Sequence, residues 1–134
     1  MSNSFGIDTP PGLNRLTPDT AQLQVLNGPG AHRIFPLNQM RIVIGRNDPP
    51  NIKVDINLTD CEIGSPPAIS RRHAEIEWVG CNLQIVDLGS SNGTFVDGEK
   101  LSPVIPNQPS SPVSLKPGSQ VKLGNLKFEV IINE

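Results

Sequence analysis

The chain has 134 residues, the length of one ordinary domain, and its net charge of −2 shows none of the basic excess expected of a nucleic-acid-binding surface. Fourteen prolines and twelve glycines leave no stretch longer than Asn51–Ile63 free of both, which excludes a fold of long helices. No apolar run approaches the ~18 residues of a membrane span, no basic and apolar leader is visible, and two cysteines are too few for a disulfide framework or a four-cysteine zinc site, so a reduced, cytoplasmic protein without direct membrane insertion is expected.

Residues 1–20 read as a flexible N-terminal tail, with three prolines, two glycines and apolar residues of no fixed period. Within it, Thr9 is the candidate for phosphorylation and folding back onto the domain. The packed domain is expected over 21–134. Its clearest signals are period-two alternations, each marking a strand with one buried face. They are Ile52, Val54, Ile56 and Leu58; Ala74, Ile76 and Trp78; and Leu126, Phe128, Val130 and Ile132. Shorter strands are expected at 22–26, 32–35, 41–44, 83–87, 94–96, 113–115 and 120–123. Asn27-Gly28 and Asp97-Gly98 suit tight turns with positive φ, and Gly124-Asn125 suits a two-residue hairpin. The stretch 102–112, with four prolines, reads as a long loop. Strands about ten residues apart, joined by such turns, describe an all-β sandwich or barrel.

Three polar motifs fall at the ends of these strands: Gly45-Arg46, Ser70-Arg71-Arg72-His73 and Ser90-Ser91-Asn92-Gly93-Thr94. Strand ends of a sandwich can converge at one pole. An arginine fork, serine hydroxyls and successive backbone N–H groups are together suited to a phosphate.

In order and spacing, these motifs, continued by Phe95-Val96-Asp97-Gly98, resemble those of the forkhead-associated (FHA) domains, over roughly residues 22–132. The resemblance implies an eleven-stranded β-sandwich with binding loops at one end. It implies a non-catalytic adaptor that binds a phosphothreonine-containing protein or peptide in Ser/Thr kinase signalling, as a monomer and without a cofactor. Carried over to this chain, Arg46 would reach the phosphate and peptide backbone. Ser70 would donate its hydroxyl to the phosphate, and Arg71 would contact peptide or phosphate. Ser91 would supply backbone and side-chain donors, and Asn92 would bind the peptide main chain. Gly45, His73 and Gly93 would support the site. Selection of the residue three after the threonine would fall to loops 47–51 and 59–68. Gly118-Ser119 departs from the family's usual Gly-Asp, at a position that is not a ligand.

Other readings are weaker. A Ser70–His73 nucleophile lacks a G-x-S-x-G elbow, and the next acids, Glu75 and Glu77, are expected on an exposed strand face. Cys61, His73, Cys81 and His32 match no zinc spacing. The alternative from another class is a phospho-independent scaffold domain, and the chain is also consistent with one module of a longer protein.

Overall fold

Apolar side chains alternate into the interior along most strands of the computed structural model, which describes residues 16–47, 53–103, 105–106 and 108–133. In β1 (Ala21–Val25) the buried positions are Ala21, Leu23 and Val25; in β11 (Leu126–Ile132) they are Leu126, Phe128 and Val130. Between them lie β2 (Ile34–Pro36), β3 (Arg41–Gly45), β4 (Ile56–Asn57), β5 (Arg72–Val79), β6 (Asn82–Asp87), β7 (Thr94–Val96), β8 (Glu99–Lys100), β9 (Val113–Leu115) and β10 (Gln120–Leu123). The described residues thus form eleven strands in two sheets. One runs β2-β1-β11-β10-β7-β8 and the other β4-β3-β5-β6-β9. The recorded pairs are antiparallel except β3 with β4.

The inward faces of both sheets form one core, including Leu23, Val121 and Phe128 from one sheet and Ile44, Ile76 and Ile85 from the other. Trp78 is buried on the Ala74/Ile76 face, and its Nε1–H donates to the Leu37 carbonyl at 2.8 Å, so the buried indole carries no unmet donor. The loops after β3, before β5 and after β6 gather at one pole with the β10–β11 hairpin. There a Cβ on Gly124 would stand 2.8 Å from the Ala68 carbonyl oxygen. At the other pole Ala21 pairs with Ile132.

Several expectations change on inspection. The alternation expected over 52–58 does not build a long strand among its described residues, 53–58: only Ile56–Asn57 are β4, followed by a 3-10 turn over Thr59–Cys61, and Ile52 lies outside the described residues. The Asn57 side chain ends the extension, since its Oδ1 accepts from Thr59 N, Thr59 Oγ1 and Asn47 N. Strand β8 has no sequence expectation behind it; the turn Asp97-Gly98, with φ of 50° and 88°, folds it back on β7. Glu75 is not on an exposed face. It is buried, and its Oε2 accepts from Arg41 Nε at 3.1 Å and lies 3.0 Å from Arg41 Nη2. Residues 16–20 join the packed body: Thr17 O accepts from Ala21 N at 2.8 Å, and Leu16 packs on the core. Thr9 lies outside the described residues.

Candidate functional site

Gly45 ends β3 at a shift in the β3–β5 register, where Ile44 faces Ala74 but Gly45 faces Arg72. A Cβ there would stand 2.0 Å from the Arg71 carbonyl oxygen and 2.9 Å from that of Ser70, so only glycine lets the two segments touch. The close approach allows Arg46 N to donate to Arg71 O at 3.0 Å. The Arg46 side chain then turns toward the segment before β5. Its Nε donates to Ile69 O and stands 3.7 Å from Glu62 Oε2. Glu62 is itself fixed, accepting from Ala68 N at 3.2 Å and Ile69 N at 2.9 Å. The guanidinium is therefore aimed by its Nε, and Nη1 and Nη2 bond to none of the described residues. About a quarter of the side chain (26%) remains exposed.

The loop after β6 is organised by Asp87. This buried carboxylate accepts from Gly89 N at 3.0 Å and Ser90 N at 3.1 Å through Oδ2. Through Oδ1 it accepts from Ser90 Oγ at 2.5 Å and Thr94 Oγ1 at 2.7 Å. Ser90 Oγ in turn accepts from Gly93 N at 2.9 Å. The effect is a tight loop whose tip, Ser91 and Asn92, is pushed out into solvent. Ser91 N then donates to Ser70 Oγ at 3.0 Å, and Asn92 Nδ2 donates to Ala68 O at 2.8 Å. These two bonds join the 68–71 segment to the 90–93 loop. Loop 102–112 reaches the same place, because Ser110 accepts from Asp87 N through Oγ at 2.8 Å and donates from its own N to Asp87 O at 3.0 Å.

Beneath the tip lies His73, fully buried. Its Nδ1 accepts from Ser70 N at 3.0 Å, so the proton sits on Nε2, which donates to Gly93 O at 2.8 Å. Burial holds its pKa below the usual imidazole value, against smaller raising effects of the Gly93 carbonyl, Asp87 and Glu62. Charging the ring would also place a proton on Nδ1 and cost the bond from Ser70 N. Since His73 meets Ser70 through the backbone N–H, the two do not form a hydroxyl–imidazole pair for nucleophilic chemistry.

Arg46, Ser70, Ser91 and Asn92 thus belong to one bonded network, with Gly45, His73 and Gly93 forming its underside. Arg71 is exposed at its edge and tied in through its carbonyl. Two features differ from expectation. The Ser91 N–H is already engaged by Ser70 Oγ, which leaves the hydroxyl as that residue's outward donor. Asn92 presents Oδ1 and one remaining Nδ2 hydrogen, its other being held by Ala68 O. The residues that sequence reasoning passed over are Asp87 and Glu62, the two acids that shape the loops. An Asp two residues before a Gly-Ser pair, Asp87-Leu88-Gly89-Ser90, carries the signal of a side-chain-capped turn; Glu62 has no local signal. The remaining candidates for metal chemistry are dispersed: Cys61 is buried with Arg33 Nη1 at 3.3 Å from its sulfur, and Cys81 is exposed. No helix among the described residues is long and apolar enough to cross a membrane.

Comparison with known proteins gives a consistent result. The family model of the FHA domain matches residues 42–124. The chain is 31% identical over 120 residues to the oxoglutarate dehydrogenase inhibitor of Corynebacterium jeikeium, covering 90% of this chain and 70% of that protein. It is 32% identical over 117 residues to the glycogen accumulation regulator GarA of Mycolicibacterium smegmatis, covering 87% of this chain but only 62% of that one. A chain solved in a structural and functional analysis of phosphothreonine-dependent FHA domain interactions superposes with a TM-score of 0.62 at 28% identity, covering 86% of this chain and 98% of its own.

Proposed function

This chain belongs to the FHA domain family, and we propose that it is a non-catalytic adaptor that binds phosphothreonine-containing segments of partner proteins through the pole where Arg46, Ser70 and Ser91 meet. The observation that carries the reading is the bond from Ser91 N to Ser70 Oγ at 3.0 Å, together with an Arg46 guanidinium aimed by its bond to Ile69 O, the residue before Ser70. A serine oxygen that already accepts from a backbone amide has its own O–H left to donate. Arg46 Nη1 and Nη2 supply a planar fork for two phosphate oxygens, Ser70 Oγ–H a third bond, and the Ser91 hydroxyl a further one. Asn92, held by Ala68, offers Oδ1 and one N–H to an extended peptide backbone next to the phosphothreonine. Arg71 adds positive charge at the edge of the site. Phosphate carries about −1.5 to −2 charges on three acceptor oxygens, which suits this donor set better than a planar carboxylate does. Regulatory binding also matches the names of the relatives, an inhibitor and a regulator.

The direct experiment is a titration with a peptide pool that has a fixed central phosphothreonine, its unphosphorylated counterpart, and one with Glu at that position. Only the phosphorylated pool should bind. Equal affinity for all three would overturn the reading.

A further inference from the structure

The outer face of the six-stranded sheet carries a row of charge that the fold does not use. The register sets Lys100, Phe95, Lys122 and Lys127 side by side across β8, β7, β10 and β11. All three lysines are exposed, while Thr94, Val96, Val121 and Leu123 on the same strands point inward. Lys122 and Lys127 are directly opposite one another, an arrangement that destabilises a sheet by itself. None of the three lysines makes a salt bridge with the described residues. Of the nearby acids, Asp97 Oδ1 accepts from Gln120 N, and Glu129, two residues from Lys127 on the same face and opposite Gln120, makes no salt bridge with any of the three. Lys122 Nζ stands 5.3 Å from the centroid of the half-buried Phe95 ring. A hollow of about 400 Å³ lies among Phe95, Gly98, Gln120, Lys122 and Lys127.

The row is also continuous with the binding pole. A Cβ on Gly93 would come within 3.0 Å of Lys100 Cε, and Gly93 directly follows Asn92. From Lys100 to Lys127 the row crosses three gaps between strands, about 15 Å at ~4.8 Å each. An extended peptide spans that with roughly four or five residues. Three lysines without a salt bridge to any described residue, set around an aromatic ring in a chain whose net charge is −2, fit an acidic peptide.

We propose that the Lys100–Lys122–Lys127 row is a docking face for an acidic segment flanking the phosphothreonine of the same partner. The connection to phosphothreonine rests on the function proposed above; the acidic preference rests on the row itself.

The test uses the full chain and three peptide pools with a fixed phosphothreonine: neutral flanks, a glutamate run ahead of it, and a glutamate run after it. One acidic pool should bind roughly three- to tenfold more tightly than the neutral pool at low salt, as expected for one or two exposed ion pairs. The double variant Lys122→Gln, Lys127→Gln should lose that gain and bind the neutral pool as the wild type does. Removing a like-charged pair should not harm folding. Equal affinity for the three pools, or a gain kept by the double variant, overturns the proposal. If no pool binds, the phosphothreonine reading fails on its own, and an oligoglutamate peptide decides the row. Salt-sensitive shifts of the Phe95, Lys122 and Lys127 amide signals that vanish in the double variant uphold it; their absence overturns it. Tighter binding of duplex DNA or phosphatidylserine vesicles, displacing oligoglutamate, would also overturn it and assign the face to another polyanion.

Discussion

Arg46 shows how one side chain can divide its donors. Its Nε bonds to Ile69 O and faces Glu62, and in the function proposed above the rest of the fork takes the phosphate. Arg46→Ala should therefore cost about 2–5 kcal/mol of phosphopeptide binding, by loss of a charge-assisted contact. It should also lower stability by about 1 kcal/mol, because Ile69 O and Glu62 lose their partner. Calorimetric titration with the phosphorylated pool and urea unfolding separate the two, and unchanged affinity in a folded variant would remove Arg46 from the site. Asp87→Ala should show the reverse emphasis. Four donors would lose their acceptor, one of them fully buried and three partly so, costing about 2–4 kcal/mol of stability, and the 88–93 loop would loosen. A variant with wild-type urea midpoint would contradict this organising role. The contrast explains what could be read in advance. Arg46, Ser70, Ser91 and Asn92 stand in recognisable order along the chain. Glu62 acts on Ala68 and Ile69, six and seven residues away, and on Arg46 across the loop. No local pattern encodes that geometry.

At the scale of strands, the meeting of β3 with the segment before β5 sets the position of the site. Gly45→Ala places a methyl group 2.0 Å from the Arg71 oxygen, against backbone that cannot swing aside. The strand ends must separate, breaking the bond from Arg46 N to Arg71 O, with a cost on the order of 2–4 kcal/mol and a matching loss of ligand affinity. Thermal unfolding and peptide titration should fall together in this variant; a loss in one alone would mean that the two segments are not coupled. The alternation 126–132 was readable because burial on one face imposes period two; at 74–78 the apolar residues marked the core face correctly, but Glu75 between them is buried as well, held by Arg41. The alternation at 52–58 misled because Asn57 turns the chain, and a side chain that accepts three hydrogen bonds overrides a pattern of apolar residues. Strand β8 was invisible for the opposite reason. Both its residues are exposed, and its pairing is enforced by the preceding Asp97-Gly98 turn and not by burial.

For the whole molecule, His73 links stability to acidity. In the unfolded chain its imidazole takes up a proton near pH 6.5, whereas in the folded protein burial holds the pKa lower. Between those two values the unfolded state binds more protons, so stability rises with pH. The contribution is complete above about pH 6.5 and is lost as pH falls through that value toward the folded pKa. Urea unfolding from pH 8 to pH 5.5 should show this decline, and His73→Gln should flatten it while lowering stability throughout. A wild-type profile that stays level would refute the assignment. Phosphopeptide affinity should decline over a similar range for a separate reason, since the second phosphate pKa is near 6. The pairing of Ala21 with Ile132 has a consequence for engineering. Strand β11 runs from Leu126, at the binding pole, to Ile132, so the start of β1 and the end of β11 sit together about 20 Å from the ligand loops, at ~3.3 Å per residue. A short glycine–serine bridge could join them, with new ends opened in the proline-rich stretch between Pro103 and Pro109. Such a circular permutant should keep the pole of Arg46, Ser70 and Ser91 intact, and a bead or surface coupled through the new bridge should hold every copy with those loops facing outward.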